Sequence, residues 1–146
     1  MSILYRLLGI PRILDEFVDK VKRRGDSQVD VTIETATDSW GCDPGWNVFY
    51  TVGVRAGGTR LRLNRFTHCT AGLDIDILIK EANVTRDYLN KAVETAKRIQ
   101  RYGLKATIEG KPIERKEEAI RACEKRIDAL KKAKPNVPPT AWLALR

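Results

Sequence analysis

The sequence predicts an α+β domain in which an N-terminal helix is followed by a three-stranded antiparallel meander and then by two or three more helices. Two observations predict this class. Apolar residues recur every three or four positions in segments 12–24, 75–99 and 114–133, as they do along one face of a helix. Between the first two segments, apolar and polar residues alternate as in half-buried strands, and two adjacent glycines mark a hairpin turn.

The first helix is predicted from Arg12 to Arg24. Pro11 precedes it, and proline is well suited to the first turn of a helix. Gly25 follows its last apolar residue and is a typical helix end. The first strand is predicted from Val29 to Thr35, where every second residue is apolar or a threonine.

The other two strands are the arms of a hairpin that spans Phe49 to Phe66 and turns at Gly57-Gly58. Two adjacent glycines allow the positive φ that both central positions of a type I′ turn require. With that turn as the hinge, one face of the hairpin is apolar. The pairs predicted on this face are Val54 with Leu61 and Val52 with Leu63.

The other face of the hairpin gathers three arginines. Arg55 lies opposite Arg60, and Arg62 is next along the second arm. Like charges directly opposite each other destabilise a ladder by up to roughly 1 kcal/mol, so we expect an anion to neutralise them. In one register of the meander, Asp30 lies opposite Arg55 and neutralises it, which leaves Arg60 and Arg62 unpaired. The alternative is a solvated face with loose ion pairs, which contribute little to stability.

We expect the second arm and the adjacent helix to form one basic surface. If that helix crosses the apolar face of the sheet, its cations lie near those of the arm. Phe49 and Phe66 share the arginine face in this register, where they suit base stacking or, alternatively, form an ordinary cross-strand pair. The residues predicted to bind nucleic acid or another anion are Arg55, Arg60, Arg62, Arg65 and Phe66 on the hairpin, with Arg86, Lys91, Lys97, Arg98 and Arg101 on the helix.

The helical pattern that begins at Asp74 is interrupted at Asn83 to Thr85. The interruption indicates either two helices, with Thr85 as the N-cap of the second, or one helix that bends. A connector from Leu104 to Ile113 follows, in which Lys105 to Glu109 has the pattern of a short strand.

The final helix, Glu114 to Ala133, carries apolar residues over two heptads. We expect residues 1–134 to form one domain and residues 135–146 to form a proline-containing tail with an apolar tip. The helix seam packs either on the core of its own domain or against a second subunit. The residues assigned to oligomerisation are Ile120, Cys123, Ile127, Leu130, Trp142 and Leu143.

The segment from Ile75 to Glu94 resembles a helix-turn-helix unit. Its apolar residues fall where that motif has its internal contacts, and Asn83 stands at the turn position usually given to glycine. Ile79 departs from the motif, which normally has an alanine where its two helices cross. The resemblance implies that the residues facing DNA are Arg86, Asp87, Asn90 and Lys91.

The order helix, three antiparallel strands, helix between Pro11 and Tyr102 also resembles the double-stranded RNA-binding domain. That family reads the shape of an A-form duplex. It places a lysine cluster at the start of its second helix, whereas this chain has Leu73-Asp74-Ile75-Asp76 there. The resemblance therefore covers the topology and not the binding motif.

Length and composition set the broad class. The chain has 146 residues, of which 42% are hydrophobic and 32% charged, as in a globular protein large enough to hold a core. No apolar run approaches the ~20 residues of a membrane span. The apolar segment at residues 1–10 is short and is interrupted by Arg6, so we interpret it as mature sequence and not as a signal peptide. Three irregularly spaced cysteines, Cys42, Cys69 and Cys123, argue against a disulfide framework and for a reducing compartment. We expect a cytoplasmic protein with no membrane partner.

The net charge of +8 is unevenly distributed. The chain has 27 basic and 19 acidic residues. Residues 1–58 contain 7 basic and 8 acidic residues, so residues 59–146 contain 20 basic and 11 acidic residues. A chain whose second half is this basic favours an acidic partner.

Catalysis has little support in the sequence. If His68 and Cys69 end a strand, they point to opposite faces and do not form a nucleophile and base pair. His68-Cys69-Thr70 matches one of the two His-x-Thr motifs of two-histidine phosphoesterases. We predict no catalytic residue, no metal and no cofactor.

The leading functional prediction is a small basic protein that binds nucleic acid by its phosphate backbone through the second hairpin arm and the adjacent helix. Two alternatives stay open. One is a homo-oligomeric interaction protein that binds a partner protein or a small anionic ligand such as a nucleotide. The other is a phosphoesterase that uses His68 across a dimer.

Overall fold

The computed structural model describes residues 10–42, 45–71 and 74–134. These residues form an α+β fold, as predicted, with three helices and one sheet of four strands. In chain order the elements are α1 (Ile10–Arg23), β1 (Gln28–Asp38), β2 (Asn47–Ala56), β3 (Thr59–Cys69), α2 (Ile75–Arg101), β4 (Lys105–Ile108) and α3 (Ile113–Ala133). The predicted tail, residues 135–146, lies outside the described residues.

The sheet is mixed, with the strand order β3-β2-β1-β4. Its first three strands form the predicted meander, but β4 adds a fourth strand parallel to β1, so the prediction of a purely antiparallel three-stranded sheet is wrong. A distant carboxylate helps to hold the short β4 in place. Asp30 Oδ1 on β1 accepts hydrogen bonds from Thr107 Oγ1 at 2.7 Å and from the backbone N–H of Gly110 at 2.8 Å. Local sequence does not specify such a contact across nearly 80 residues.

The helices cover one face of the sheet, called the inner face here. Apolar residues of α1 and α2 pack there against alternating valines of β1 and β2, such as Val31 and Val54, which are at most 1% exposed. Strand side chains of the opposite parity lie on the outer face. Within residues 10–42, 45–71 and 74–134, no helix covers this outer face. None of the described helices has both the length and the apolar composition that a bilayer span requires.

The hairpin turns where the sequence predicts, but with a different turn type. Arg55 pairs with Arg60 and Ala56 with Thr59, so Gly57 and Gly58 are the two turn residues. Of these two residues, Gly57 has a left-handed φ of 55° and Gly58 does not. That is the requirement of a type II′ turn rather than the predicted type I′ turn.

Arg24, which follows α1, joins the first helix to this turn. Its guanidinium donates to the carbonyl oxygen of Ala56 at 2.9 Å, to Thr59 Oγ1 at 2.5 Å and to Asp26 Oδ2 at 3.0 Å. These bonds fix the end of α1 against the hairpin. They also pair the positive charge of Arg24 with Asp26, so Arg24 does not add to the unpaired positive charge of the surface.

The helix α2 continues without a break through Asn83, Val84 and Thr85. Thr85 Oγ1 donates to the carbonyl oxygen of Glu81 at 3.0 Å, the i−4 bond of a threonine inside a helix, so Thr85 is not an N-cap. Because the helix does not turn, the helix-turn-helix interpretation is wrong. The apolar stripe of α2 packs along the core on both sides of the interruption, and this packing outweighs the modest helix propensity of three residues.

The seam of α3 packs inside the same chain. Cys123 Sγ donates to the carbonyl oxygen of Ala82 on α2 at 3.0 Å, and Ile127 is buried in the same small cluster. Ile120 joins the main core, and Leu130 is half-buried against the Cys123 cluster. The seam assigned to oligomerisation is therefore covered by α2. Trp142 and Leu143 lie outside the described residues.

Candidate anion-binding surface

Four arginines lie on the outer face of the sheet. Arg55 on β2 pairs directly with Arg60 on β3, and Arg62 pairs with Gly53. All three share one face, as the sequence predicts. Arg65 is the fourth, opposite Thr51, and all four side chains are exposed. We call Arg60, Arg62 and Arg65 the arginine arm.

A β-bulge in β3 interrupts the predicted register. Gly53 pairs with Arg62, but its neighbour Val52 pairs with Asn64, so Leu63 is an extra residue on β3. The predicted pairing of Val52 with Leu63 is therefore wrong. One extra residue shifts the alternation of side chains by one position along the rest of the strand.

The bulge places Arg65 on the outer face and Phe66 on the inner face. Phe66 packs against the hydrophobic core, so the prediction that Phe66 shares the arginine face with Phe49 is wrong. The sequence carries a signal for the shift, because the apolar residues of the arm, Leu61, Leu63 and Phe66, change from odd to even positions. A regular strand would instead bury Arg65.

Gly53 forms the floor of the site. A Cβ atom at this position would lie 2.5 Å from the backbone oxygen of Leu61 and 3.2 Å from Thr32 Oγ1, so a larger residue requires the backbone to move. The bare backbone leaves a hollow of about 340 Å³ between β1 and β3. Its lining residues are Thr32, Glu34, Thr51, Gly53, Val54, Arg60, Leu61 and Arg62.

One carboxylate serves two residues of the arginine arm. Glu34 on β1 lies 3.3 Å from a guanidinium nitrogen of Arg60 and 3.5 Å from one of Arg62. The prediction that these two arginines are unpaired is wrong. Since β1 and β3 are separated by β2, a distance of roughly 10 Å, the long side chains must cross β2, and Gly53 offers no side chain to obstruct them.

These ion pairs leave a surplus of positive charge. The side chains of Arg60 and Arg62 are 61% and 79% exposed, so solvent screens their contacts with Glu34. The predicted pairing of Asp30 with Arg55 is confirmed, at 3.7 Å. Asp30 also accepts two hydrogen bonds from the β4 region, so it is fully engaged.

Arg65 stacks on an aromatic ring. Its Cζ atom lies 3.9 Å from the centre of the Phe49 ring, a cation–π contact. Within the described part of the chain, Arg65 makes no ion pair with a carboxylate. Both residues line a second hollow of about 320 Å³, which shares Glu34, Thr51 and Arg62 with the first. Phe49 therefore belongs to the site.

The cations predicted on the adjacent helix lie on the other side of the sheet. α2 packs on the inner face, so its residues do not join the arginine arm in one surface. Four of them form ion pairs, and Arg101 is exposed in the last turn of the helix. The pairs are Arg86 with Asp87, Lys91 with Glu94, Lys97 with Glu117 and Arg98 with Asp15.

His68 and Cys69 point to opposite faces of β3, as predicted. His68 is 4% exposed on the inner face, and neither ring nitrogen has a hydrogen-bond partner among the described residues. Its ring stacks on Tyr50, with centroids 5.9 Å apart, and Tyr50 stacks on Tyr88 of α2 at 4.4 Å. Burial raises the pKa of both tyrosines above the ordinary value of 10.0. His68 therefore lies on the opposite face of the sheet from the arginine arm.

Cys69 forms a disulfide with Cys42, with the two Cα atoms 5.9 Å apart. The argument against disulfide bonding from the number and spacing of the cysteines is therefore wrong for this pair. The antiparallel pairing of β2 with β3 returns the chain to the end of β1, and this brings together two residues whose spacing in the sequence shows no pattern. Cys123 is the free cysteine of the described residues.

Comparison with known proteins finds no matching family model, no similar curated protein and no similar solved structure.

Proposed function

We propose that this protein binds nucleic acid through the outer face of its sheet, with the arginine arm contacting the phosphate backbone. One observation carries the proposal. Arg60 and Arg62, both largely exposed, share the single carboxylate of Glu34, and Arg65 beside them has no carboxylate partner among the described residues. The surface therefore presents more guanidinium groups than it neutralises.

The chemistry of arginine supports phosphate as the anion. A guanidinium presents a planar fork of N–H donors that matches two phosphate oxygens. A phosphate that enters the hollow above Gly53 replaces weak, solvent-screened contacts to Glu34 with charge-assisted hydrogen bonds. The net charge of +8 adds long-range attraction to a polyanion.

A small anionic ligand such as a nucleotide is the second candidate. The two hollows, of about 340 and 320 Å³, each reach the lower end of the range for small-molecule sites. They adjoin at Arg62, so one ligand with a phosphate and an aromatic base spans both. Competition between a nucleotide and an oligonucleotide separates this candidate from the leading one.

The test is the double variant Arg60→Gln/Arg62→Gln, measured by fluorescence anisotropy with labelled oligonucleotides at about 50 and about 200 mM salt. We expect weaker binding and a slope of log affinity against log salt that is shallower by about 1.4 to 1.8, because two phosphate contacts are lost. Circular dichroism should show an unchanged fold, since both side chains are exposed.

Two matched variants sharpen the result. Arg121→Gln/Lys125→Gln removes the same charge from exposed positions of α3 and should change the affinity much less. Glu34→Gln removes the carboxylate that competes with phosphate and should strengthen binding. Absence of binding by the unaltered protein at about 50 mM salt, or equal losses for the two double variants, contradicts the proposal.

A further inference from the structure

The contact between Arg65 and Phe49 differs from the other arginine contacts of the outer face. Arg55, Arg60 and Arg62 reach carboxylates, whereas Arg65 lies against a ring with its Cζ atom 3.9 Å from the ring centre. A guanidinium that lies flat on a ring keeps its in-plane N–H donors available. Its exposed flat side is a surface on which a planar group can stack.

From this geometry we infer that the outer face binds a single strand, DNA or RNA, with one base stacked on the Arg65 guanidinium, which the Phe49 ring supports, and the neighbouring phosphates on Arg62 and Arg60. The inference rests on the proposed function and adds the strand state of the ligand. A base stacked on protein must be unstacked from its neighbours, which is the normal condition in a single strand and not in a duplex.

The layout of the face matches one extended strand. Arg55, opposite Arg60, is six residues from Phe49 along β2, a distance of roughly 20 Å. A stacked strand rises about 3.4 Å per nucleotide, so roughly six nucleotides cover this distance and fewer do so when extended. Phosphate-binding groups occupy one end of the path, and the ring lies at the other.

The shape of the sheet argues against a duplex in the same place. The major groove of B-DNA is about 12 Å wide and admits a helix or a two-stranded ribbon. The outer face here belongs to a four-stranded sheet, and its site spans β1, β2 and β3. Such a face meets a duplex only at its phosphates and leaves the stack of Arg65 on Phe49 without a base.

The experiment compares three DNA ligands of roughly 12 nucleotides: a single strand, the same strand in a duplex, and an abasic strand with identical phosphates. Single-stranded and duplex RNA of the same length are measured in parallel. We expect the single strand to bind at least about tenfold more tightly than the duplex or the abasic strand. Removing the stack should weaken single-strand binding roughly 5- to 100-fold, while the affinity for the abasic strand stays nearly the same.

Two variants remove the stack in different ways. Phe49→Leu removes the ring and keeps an apolar side chain, and Arg65→Lys keeps the charge but loses the flat guanidinium. Because Arg65 is exposed, its variant should fold even if Phe49→Leu does not. Equal affinity for the single, abasic and duplex forms overturns this inference and leaves the proposed function standing. No binding of any form at about 50 mM salt overturns both.

Discussion

At the scale of the residue, Gly53 determines the shape of the candidate site. It lies opposite Arg62 next to the bulge, and a Cβ atom there would come within 2.5 Å of the backbone oxygen of Leu61. The missing side chain also lets Arg62 cross β2 and reach Glu34 on β1 at 3.5 Å. One small residue thus allows both the close approach of β3 and the shared carboxylate.

Replacement of Gly53 by alanine should destabilise the protein by about 1–3 kcal/mol, because the new methyl group collides with backbone rather than with a flexible side chain. Urea unfolding measures the effect. Gly58→Ala is the matched control, since a Cβ atom there meets nothing within 4 Å and φ is not left-handed, and it should change stability by less than about 0.5 kcal/mol. Similar values for the two variants would show that the contact at Gly53 is unimportant.

At the scale of the element, β3 is less regular than the sequence predicts and α2 is more regular. β3 adds a bulge at Leu63 and thereby turns Arg65 outward and Phe66 inward. α2 ignores the polar interruption at Asn83 and stays continuous. In each case the buried apolar contacts are kept, and the local backbone adjusts to them.

The stacked rings of Tyr50 and Tyr88 join β2 to α2. We expect the free energy of unfolding to fall at alkaline pH because these two phenols ionise. Burial raises the pKa of both phenols above 10.0. The folded state therefore binds their protons more tightly than the unfolded chain, and this contribution is complete below about pH 10 and lost as the pH rises through the folded pKa. Urea unfolding at a series of pH values from about 8 to about 11 should show the decline.

Tyr88→Phe keeps the ring and removes one titrating group. In this variant, the decline of unfolding free energy above about pH 10 should be shallower than in the unaltered protein. Parallel declines in the two proteins would mean that other groups, such as the lysines, account for the effect.

At the scale of the whole molecule, the two faces of the sheet differ in free positive charge, and a disulfide holds the strands of the candidate site together. The outer face of the sheet carries the arginine arm, and the cations of α2 lie behind the sheet, mostly in ion pairs. The disulfide between Cys42 and Cys69 joins the end of β3 to the chain that leaves β1. The three strands that carry the candidate site are therefore connected at both ends of the hairpin, by the turn and by this bond.

The disulfide predicts a simple thiol count. The unfolded, unreduced chain should have one titratable thiol, Cys123, and the reduced chain should have three. In the native protein Cys123 should react slowly, because it is buried and desolvation raises the pKa of its thiol. Three thiols in the unreduced chain would contradict the bond.

Reduction should also lower the free energy of unfolding. The bond closes a loop with a sequence separation of 27 residues, and the entropy of that loop in the unfolded chain corresponds to about 3–4 kcal/mol. Comparison of urea unfolding with and without reductant measures the loss.

The sequence by itself determined the features that depend on near neighbours. The alternation in Val29 to Thr35 predicted a strand, and the glycine pair at 57–58 placed Arg55, Arg60 and Arg62 on one face of the hairpin. The pairing of Asp30 with Arg55 belongs to one of the registers that the sequence allowed. These predictions were correct because the period of a strand and the position of a turn are set within a few residues.

Only the tertiary structure decided the features that depend on distant contacts. The parallel pairing of β4 with β1, the Glu34 bridge and the disulfide each join parts of the chain that are far apart in sequence. Their physical cause is the burial of apolar surface on the inner face, which fixes the positions of the strands. Arg65 and Phe49 meet on the outer face as a consequence of that packing.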